Sequence, residues 1–462
     1  MPSQRRVHEP FVFAALAVAL SAGFGYAAII VAALAFKWNL GAWWIAMVQA
    51  HGHAQLFGWA GLFVLGVGLY FLPRLRGTTL ARAALAPWAL ALLVAGIALR
   101  SICQPLLAFA EASTAQDSPY GALGRSGFAA SGILELVGVV LIMTMFVASF
   151  RHARPLTPSA PIIPVLPYLI TSFVCLGAAT LLNATLSIHT ALLDRFIFSA
   201  DLDDALNHLM IYGFILPIAL ALSVRNLPLF MRLAFPPNRA LLPILVSYVA
   251  GVVWRLTPVL ERVFVHVPTL FTRLAGLGAV LEGGALLVFI WQFDVLLRRK
   301  TPWLASRTPP PPGYVETRKP TRPNYPDYGE FGRFELLIIS AYAWLAFASI
   351  VAVLDGAAAL LGNSVLVNPD IERHAITIGF ITLLIFGMAA RMLPGFSGKS
   401  RVASTRLVLA TFWLGNLAAL FRVAPLFAPN FPGANTALGI SGAIGWLAVA
   451  CLAANLWQTF RL

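Results

Sequence analysis

Long apolar runs alternate with short polar connections along the whole chain. They lie near residues 11–36, 42–73, 82–108, 127–150, 161–184, 204–225, 239–256, 270–297, 334–361, 371–394, 406–424 and 436–460. Each reaches or approaches the ~20 residues that a bilayer crossing requires. A backbone inside lipid must satisfy its own polar groups, so each run predicts a helix. The expected fold class is all-α: a polytopic membrane protein of twelve transmembrane spans in a single membrane domain, 1–462. The longest polar connection, 298–333, is Pro-rich. Residues 301–333 read as an extended cytoplasmic linker and not as a domain.

Basic residues orient the spans. Arg5 and Arg6, Arg74 and Arg76, Arg151 and Arg154, Arg225 and Arg232, Arg298 to Lys300, Lys399 and Arg401, and Arg461 all fall on one side. The positive-inside rule makes that side cytoplasmic, together with both termini. The acidic stretches "DLDD" (201–204) and "NPDIE" (368–372) fall on the other side.

Composition agrees with this reading. Hydrophobic residues make up 59% of the chain and the mean hydropathy is +0.82, which excludes an ordinary soluble domain. Only 11% of residues are charged, yet the net charge is +14. In a membrane protein that excess marks cytoplasmic loops, so a nucleic-acid partner is not expected. Cys103, Cys175 and Cys451 lie far apart in apolar segments without a C-x-x-C pair, so neither a disulfide framework nor a zinc knuckle is suggested. C-x-x-C-H is absent as well, which argues against covalent c-type haem. The first apolar run is long enough to span and stay, so no cleavable signal peptide is expected.

Three stretches repeat one another. His53, Gly58, Trp59, Leu72 and Pro73 in span 2 match His208, Gly213, Phe214, Leu227 and Pro228 in span 6, and His374, Gly379, Phe380, Leu393 and Pro394 in span 10, at identical offsets. The residue four before each His is Gln49, Asp204 or Asp370. Spans 3, 7 and 11 end on Arg100, Arg255 and Arg422. Spans 4 and 8 carry Glu135 and Glu282, each sixteen residues before a cytoplasmic Arg, where span 12 has Gly445. The pattern predicts three four-helix repeats, about 1–155, 156–300 and 334–462. Three long repeats in a membrane are expected to close around a pseudo-threefold axis, with ligands where repeats meet.

The candidate chemistry follows from this layer of residues. An isolated intramembrane His can be no more than an interhelical hydrogen bond. Three symmetry-related ones plus a fourth, His51, point to ligands: His51, His53, His208 and His374 are the metal-ligand candidates. His51 and His53 stand about 200° apart on a helix of 3.6 residues per turn, so they face different neighbours. One is expected to serve a site with His208, the other a site with His374. Gly58, Gly213 and Gly379 let a bulky group approach the backbone, or serve close helix packing. Imidazole suits iron and copper, and facing His in an apolar gap suit haem b, one or two of them. The His lie ~30 Å from the cytoplasmic Pro at 1.5 Å per residue, near the outer helix ends. Arg100, Arg255 and Arg422 share that layer and either bind haem propionates or snorkel to the interface. Glu135 and Glu282 are candidate catalytic acids, for proton relay or metal support.

Twelve helices with His on spans 2, 6 and 10 resemble subunit I of the haem–copper oxidases. Span 7 carries no His, and span 10 carries one, so that superfamily's copper ligand set is incomplete here. "HGHAQLFGWAG" (51–61) and "RHAITIGFITLLIFGMAARMLPGFSGKS" (373–400) resemble the NnrS family, twelve-helix bacterial inner-membrane proteins linked to nitric oxide stress that carry haem and copper. The resemblance implies His51, His53 and His374 as ligands, an inner-membrane location, nitric oxide or another small gas as ligand, and a quinol or protein electron donor. If the protein is catalytic, it is an oxidoreductase that reduces nitric oxide. A proton-coupled secondary transporter is the rival reading, against which stand parallel repeats and few central Gly or Pro breaks. A non-catalytic electron-transfer or haem-assembly protein is the third.

Overall fold

A computed structural model describes residues 6–112, 119–262, 268–300, 329–363 and 366–462. Arg5 and most of the Pro-rich linker, 301–328, lie outside the described residues. The described residues are helical, with no strand among them. Twelve helices are long and apolar enough to cross a membrane: α1 (His8–Ala35), α2 (Ala42–Leu75), α3 (Ala83–Phe109), α4 (Gly121–His152), α5 (Ile163–Leu192), α6 (Ala200–Met231), α7 (Asn238–Val259), α8 (Leu270–Phe293), α9 (Phe334–Leu360), α10 (Pro369–Phe396), α11 (Thr405–Phe427) and α12 (Ala434–Arg461). The chain is a multi-pass membrane protein.

The apolar runs place every helix but not every end. Helices α4, α5 and α6 outrun their apolar cores, because a helix satisfies its own backbone and can continue into polar surroundings. Helix α8 stops at Phe293, before the apolar run does. Asp294 takes a left-handed φ of 60°, and its carboxylate accepts from the Lys300 backbone N–H at 2.7 Å, closing the helix end.

The three helices that carry His53, His208 and His374 are the buried ones. Their most apolar windows are 89% (α2), 72% (α6) and 78% (α10) buried, against 33–50% in the other nine. A helix apolar on every face belongs in a core, and one half-exposed belongs at the lipid surface.

The backbone forms two compact units. The first contains Met1–Ile162, Ile170–Ile215 and Leu420–Ala450; the second contains Ile163–Leu169, Leu216–Ala419 and Cys451–Leu462. In the first, α3 packs along α4, α1 along α2, and the N-terminal halves of α2 and α6 meet. In the second, α7 packs along α8, α8 along α9, and α9 along α10.

Small residues set these approaches. A Cβ on Gly58 would run into Val18 of α1, one on Gly213 would lie 2.7 Å from Cys175 Cβ of α5, and one on Gly379 would lie 2.7 Å from Trp344 Cβ of α9. The three repeat glycines therefore seat a side chain of the preceding helix, which is the packing role. Gly96 and Gly251, each four residues before a repeat Arg, do the same on the other side. A Cβ on Gly96 would meet Glu135 Cγ at 2.6 Å, and one on Gly251 the Glu282 backbone nitrogen at 2.6 Å.

Candidate functional site

The helices are not regular where the histidines stand. A π-helical segment begins on the residue after each repeat His: Ala54–Leu62 after His53, Leu209–Ile215 after His208, and Ala375–Thr382 after His374. A fourth occupies Ala19–Gly23 in α1. Each such segment widens the turn and shifts carbonyls away from their usual partners. Side chains take up several of them. Trp446 Nε1 donates to Leu20 O at 2.8 Å, and Ser172 Oγ donates to Phe214 O at 2.7 Å.

His51 uses the carbonyl at the end of the α1 segment. Its Nδ1 lies 2.9 Å from Gly23 O. A carbonyl only accepts, so Nδ1 carries the hydrogen and, in the neutral ring, Nε2 carries the lone pair. His374 repeats the arrangement on its own helix, with Nδ1 2.8 Å from Asp370 O. Backbone fixation of one ring nitrogen is the usual support for an imidazole that ligates through the other.

His53 turns the opposite way, as its spacing from His51 requires. Its Nε2 lies 2.9 Å from Glu135 Oε1 of α4, with both side chains withdrawn from solvent. From there a chain of buried hydrogen bonds crosses four helices. Asn183 Nδ2 of α5 donates to Glu135 Oε2 at 3.1 Å, and Asn183 Oδ1 accepts from Arg100 Nη1 of α3 at 2.8 Å. Arg100 Nε donates to Gln104 Oε1 at 3.1 Å, and Gln104 Nε2 donates to Gln49 Oε1 at 2.9 Å. Gln49 then pairs with both backbone groups of Phe198, each at 2.9 Å. Arg100 is 0% exposed and lies 4.2 Å from the centre of the Phe198 ring, so it is buried and does not snorkel.

The second unit treats its Arg differently. Arg255 grips Glu372 with both terminal nitrogens, Nη1 to Oε1 at 2.6 Å and Nη2 to Oε2 at 3.0 Å, and adds Glu282 Oε1 at 3.3 Å. The fork expected to hold a cofactor carboxylate is thus filled by two carboxylates of the protein itself.

The remaining candidates are placed more simply. His208 stacks on Tyr212 one turn on, with ring centres 4.6 Å apart, as His53 stacks on Phe57 at 4.4 Å. Arg422 is half-buried. Among the described residues, no three His, Cys, Asp or Glu gather as a metal-binding group.

Sequence reasoning missed Asn183, Gln104 and Glu372. Asn183 and Gln104 were legible as polar residues inside apolar runs, which are costly in lipid unless partnered. Glu372 stands at the start of span 10, at the end of the acidic stretch 368–372, and only its nearness to Arg255 gives it a role.

A search of curated proteins finds no match. Residues 330–461, which carry α9 to α12, match the family model described as NnrS protein.

Proposed function

We propose that the chain is a haem protein of the inner membrane that binds nitric oxide and serves in the response to nitric oxide stress, with reduction as its chemistry if it turns over. The match of residues 330–461 to NnrS is consistent with a membrane protein of that response. The observation that carries the haem reading is the backbone fixation of Nδ1 in His51 and in His374, the support usual for an imidazole that ligates through its other nitrogen.

The residues present fit haem. A haem iron would supply a redox-active centre that takes a diatomic ligand, and would ask the protein for one or two nitrogen donors. His51 in the first unit, or His374 in the second, would hold it. Arg100 keeps a terminal nitrogen in reserve for a propionate, whereas Arg255 is already committed to Glu372 and Glu282. Glu135 fixes the orientation of His53, whose Nδ1 is the donor available to copper as a second metal. The basic loops support cytoplasmic termini, and the electron donor is a quinol or a partner protein.

The test is the optical spectrum of the purified full chain, oxidised and reduced, with and without nitric oxide. The expected result is a b-type Soret band that shifts on adding nitric oxide. Protein that takes up no haem when haem is supplied overturns the reading. The π-helical breaks favour a proton-coupled transporter as the second reading, and proton flux in liposomes separates the two.

A further inference from the structure

A guanidinium inside a membrane helix bundle is costly unless its charge is met. Arg255 obeys this rule through Glu372 and Glu282. Its repeat counterpart does not. Arg100 is 0% exposed, and no carboxylate among the described residues forms an ion pair with it. Its hydrogen bonds go to two neutral amides, Asn183 and Gln104, and the rings of Phe198 and Phe128 lie 4.2 and 5.4 Å from its carbon. Glu135 and Asp203 act on it only through space. Its Nη2 is buried with no hydrogen-bond partner, and so is Nδ1 of His53, which joins the same chain of hydrogen bonds through Glu135 and Asn183.

The repeat explains what is missing. Glu372 stands two residues before His374, and the residue two before His208 is Leu206, which is apolar and buried. The carboxylate that neutralises Arg255 has no counterpart for Arg100. A buried donor left without an acceptor is destabilising, so a group from outside the described chain is expected to meet it.

We propose that Arg100 Nη2 is the anchor of a buried site for one small anionic group, a carboxylate or a small oxyanion such as nitrite. Asn183 and Gln104 fix the plane of the guanidinium, so Nη2 has one direction in which to accept a partner. The rings of Phe198 and Phe128 lie beside the guanidinium, and Arg100 is 0% exposed, so bulk water does not serve instead. The occupant is either a carboxylate of the proposed haem, in which case the inference rests on that reading, or a free anion, in which case it does not.

The experiment uses formate and nitrite as probes on the full chain in detergent, purified with and without haem. Thermal unfolding against anion concentration gives a binding constant. The wild type should be stabilised by formate, and Arg100→Gln should bind it about tenfold more weakly or worse. Leu206→Glu, which supplies the absent carboxylate, should raise Tm and abolish the formate response. It decides the question alone if Arg100→Gln does not fold. A formate response that disappears on loading haem, but persists with haem dimethyl ester, assigns the site to a haem carboxylate. A response that persists in both assigns it to a free anion. A chain that takes up no haem overturns the haem reading and leaves the formate measurement intact. Equal responses of the wild type and both variants, or no response in any, overturn the site.

Discussion

His53 Nε2 and Glu135 Oε1 meet at 2.9 Å, and neither side chain reaches solvent. Glu135 also accepts from Asn183, so one carboxylate satisfies two donors that come from α2 and α5. Replacing it by Leu leaves both donors unmet and should cost about 1–3 kcal/mol for each. Glu135→Gln keeps an acceptor for His53 and should cost less. Thermal unfolding in detergent compares the two, and equal losses would show that the hydrogen bonds contribute nothing.

The two imidazoles of "HGH" should fail differently. His51 is tied to the α1 carbonyl and His53 to the α4 carboxylate. His51→Ala should lose the haem spectrum with little loss of fold. His53→Ala should retain the haem of His51 and destabilise the chain, because Glu135 is left buried with one partner fewer. Identical spectra and identical melting of the two variants contradict this division.

Arg255 and Glu372 form a two-pronged ion pair with the Glu372 side chain only 9% exposed. Removing one member of a buried pair costs about 3–5 kcal/mol, because the other charge stays behind. Arg255→Leu should therefore be much less stable than the double variant Arg255→Leu with Glu372→Leu. A double-mutant cycle reads the difference, and simple additivity rules out the pair as an energetic unit.

Gly58 packs so closely on Val18 that any Cβ collides with its Cγ1. Gly58→Ala should cost about 1–3 kcal/mol by overpacking. Val18→Ala removes the obstructing atom, leaving the neighbouring Val18 Cβ at 3.2 Å. The double variant should regain most of the loss in Tm. Failure to regain it would mean that Gly58 is needed for something other than α1.

Asp294, at the end of α8, predicts a pH effect. Burial acts to raise its pKa, but hydrogen bonds from Arg299 and Lys300 and the charge of Arg299 outweigh it and hold the carboxyl below its ordinary range. A lowered native pKa stabilises the fold above the unfolded value, and that stability is lost as pH falls through the native one. Asp294→Asn keeps a residue tolerant of the left-handed φ while removing the charge. It should melt lower than wild type at neutral pH by an amount of order 1 kcal/mol, and the gap should close in acid. A gap that does not change with pH removes the carboxylate from the account.

Twelve spans, the matched His of α2, α6 and α10, and the divergence of His51 from His53 are all readable from the amino-acid order alone. Span length follows from bilayer thickness, and the angle between two residues follows from helical pitch, so neither needs a neighbour. The recurrence of His, Gly and Arg at matched offsets was legible for the same reason, as a property of one dimension. What the Gly and Arg do was decided only in three dimensions. Gly58, Gly213 and Gly379 seat Val18, Cys175 and Trp344, and nothing in the apolar runs says which side chain arrives there. Arg100 and Arg255 look alike in sequence, yet one meets amides 4 and 83 residues away and the other a carboxylate 117 residues away. Hydropathy counts how polar a residue is. Whether a buried charge is neutralised depends on which helices pack side by side, and that is settled by the whole bundle.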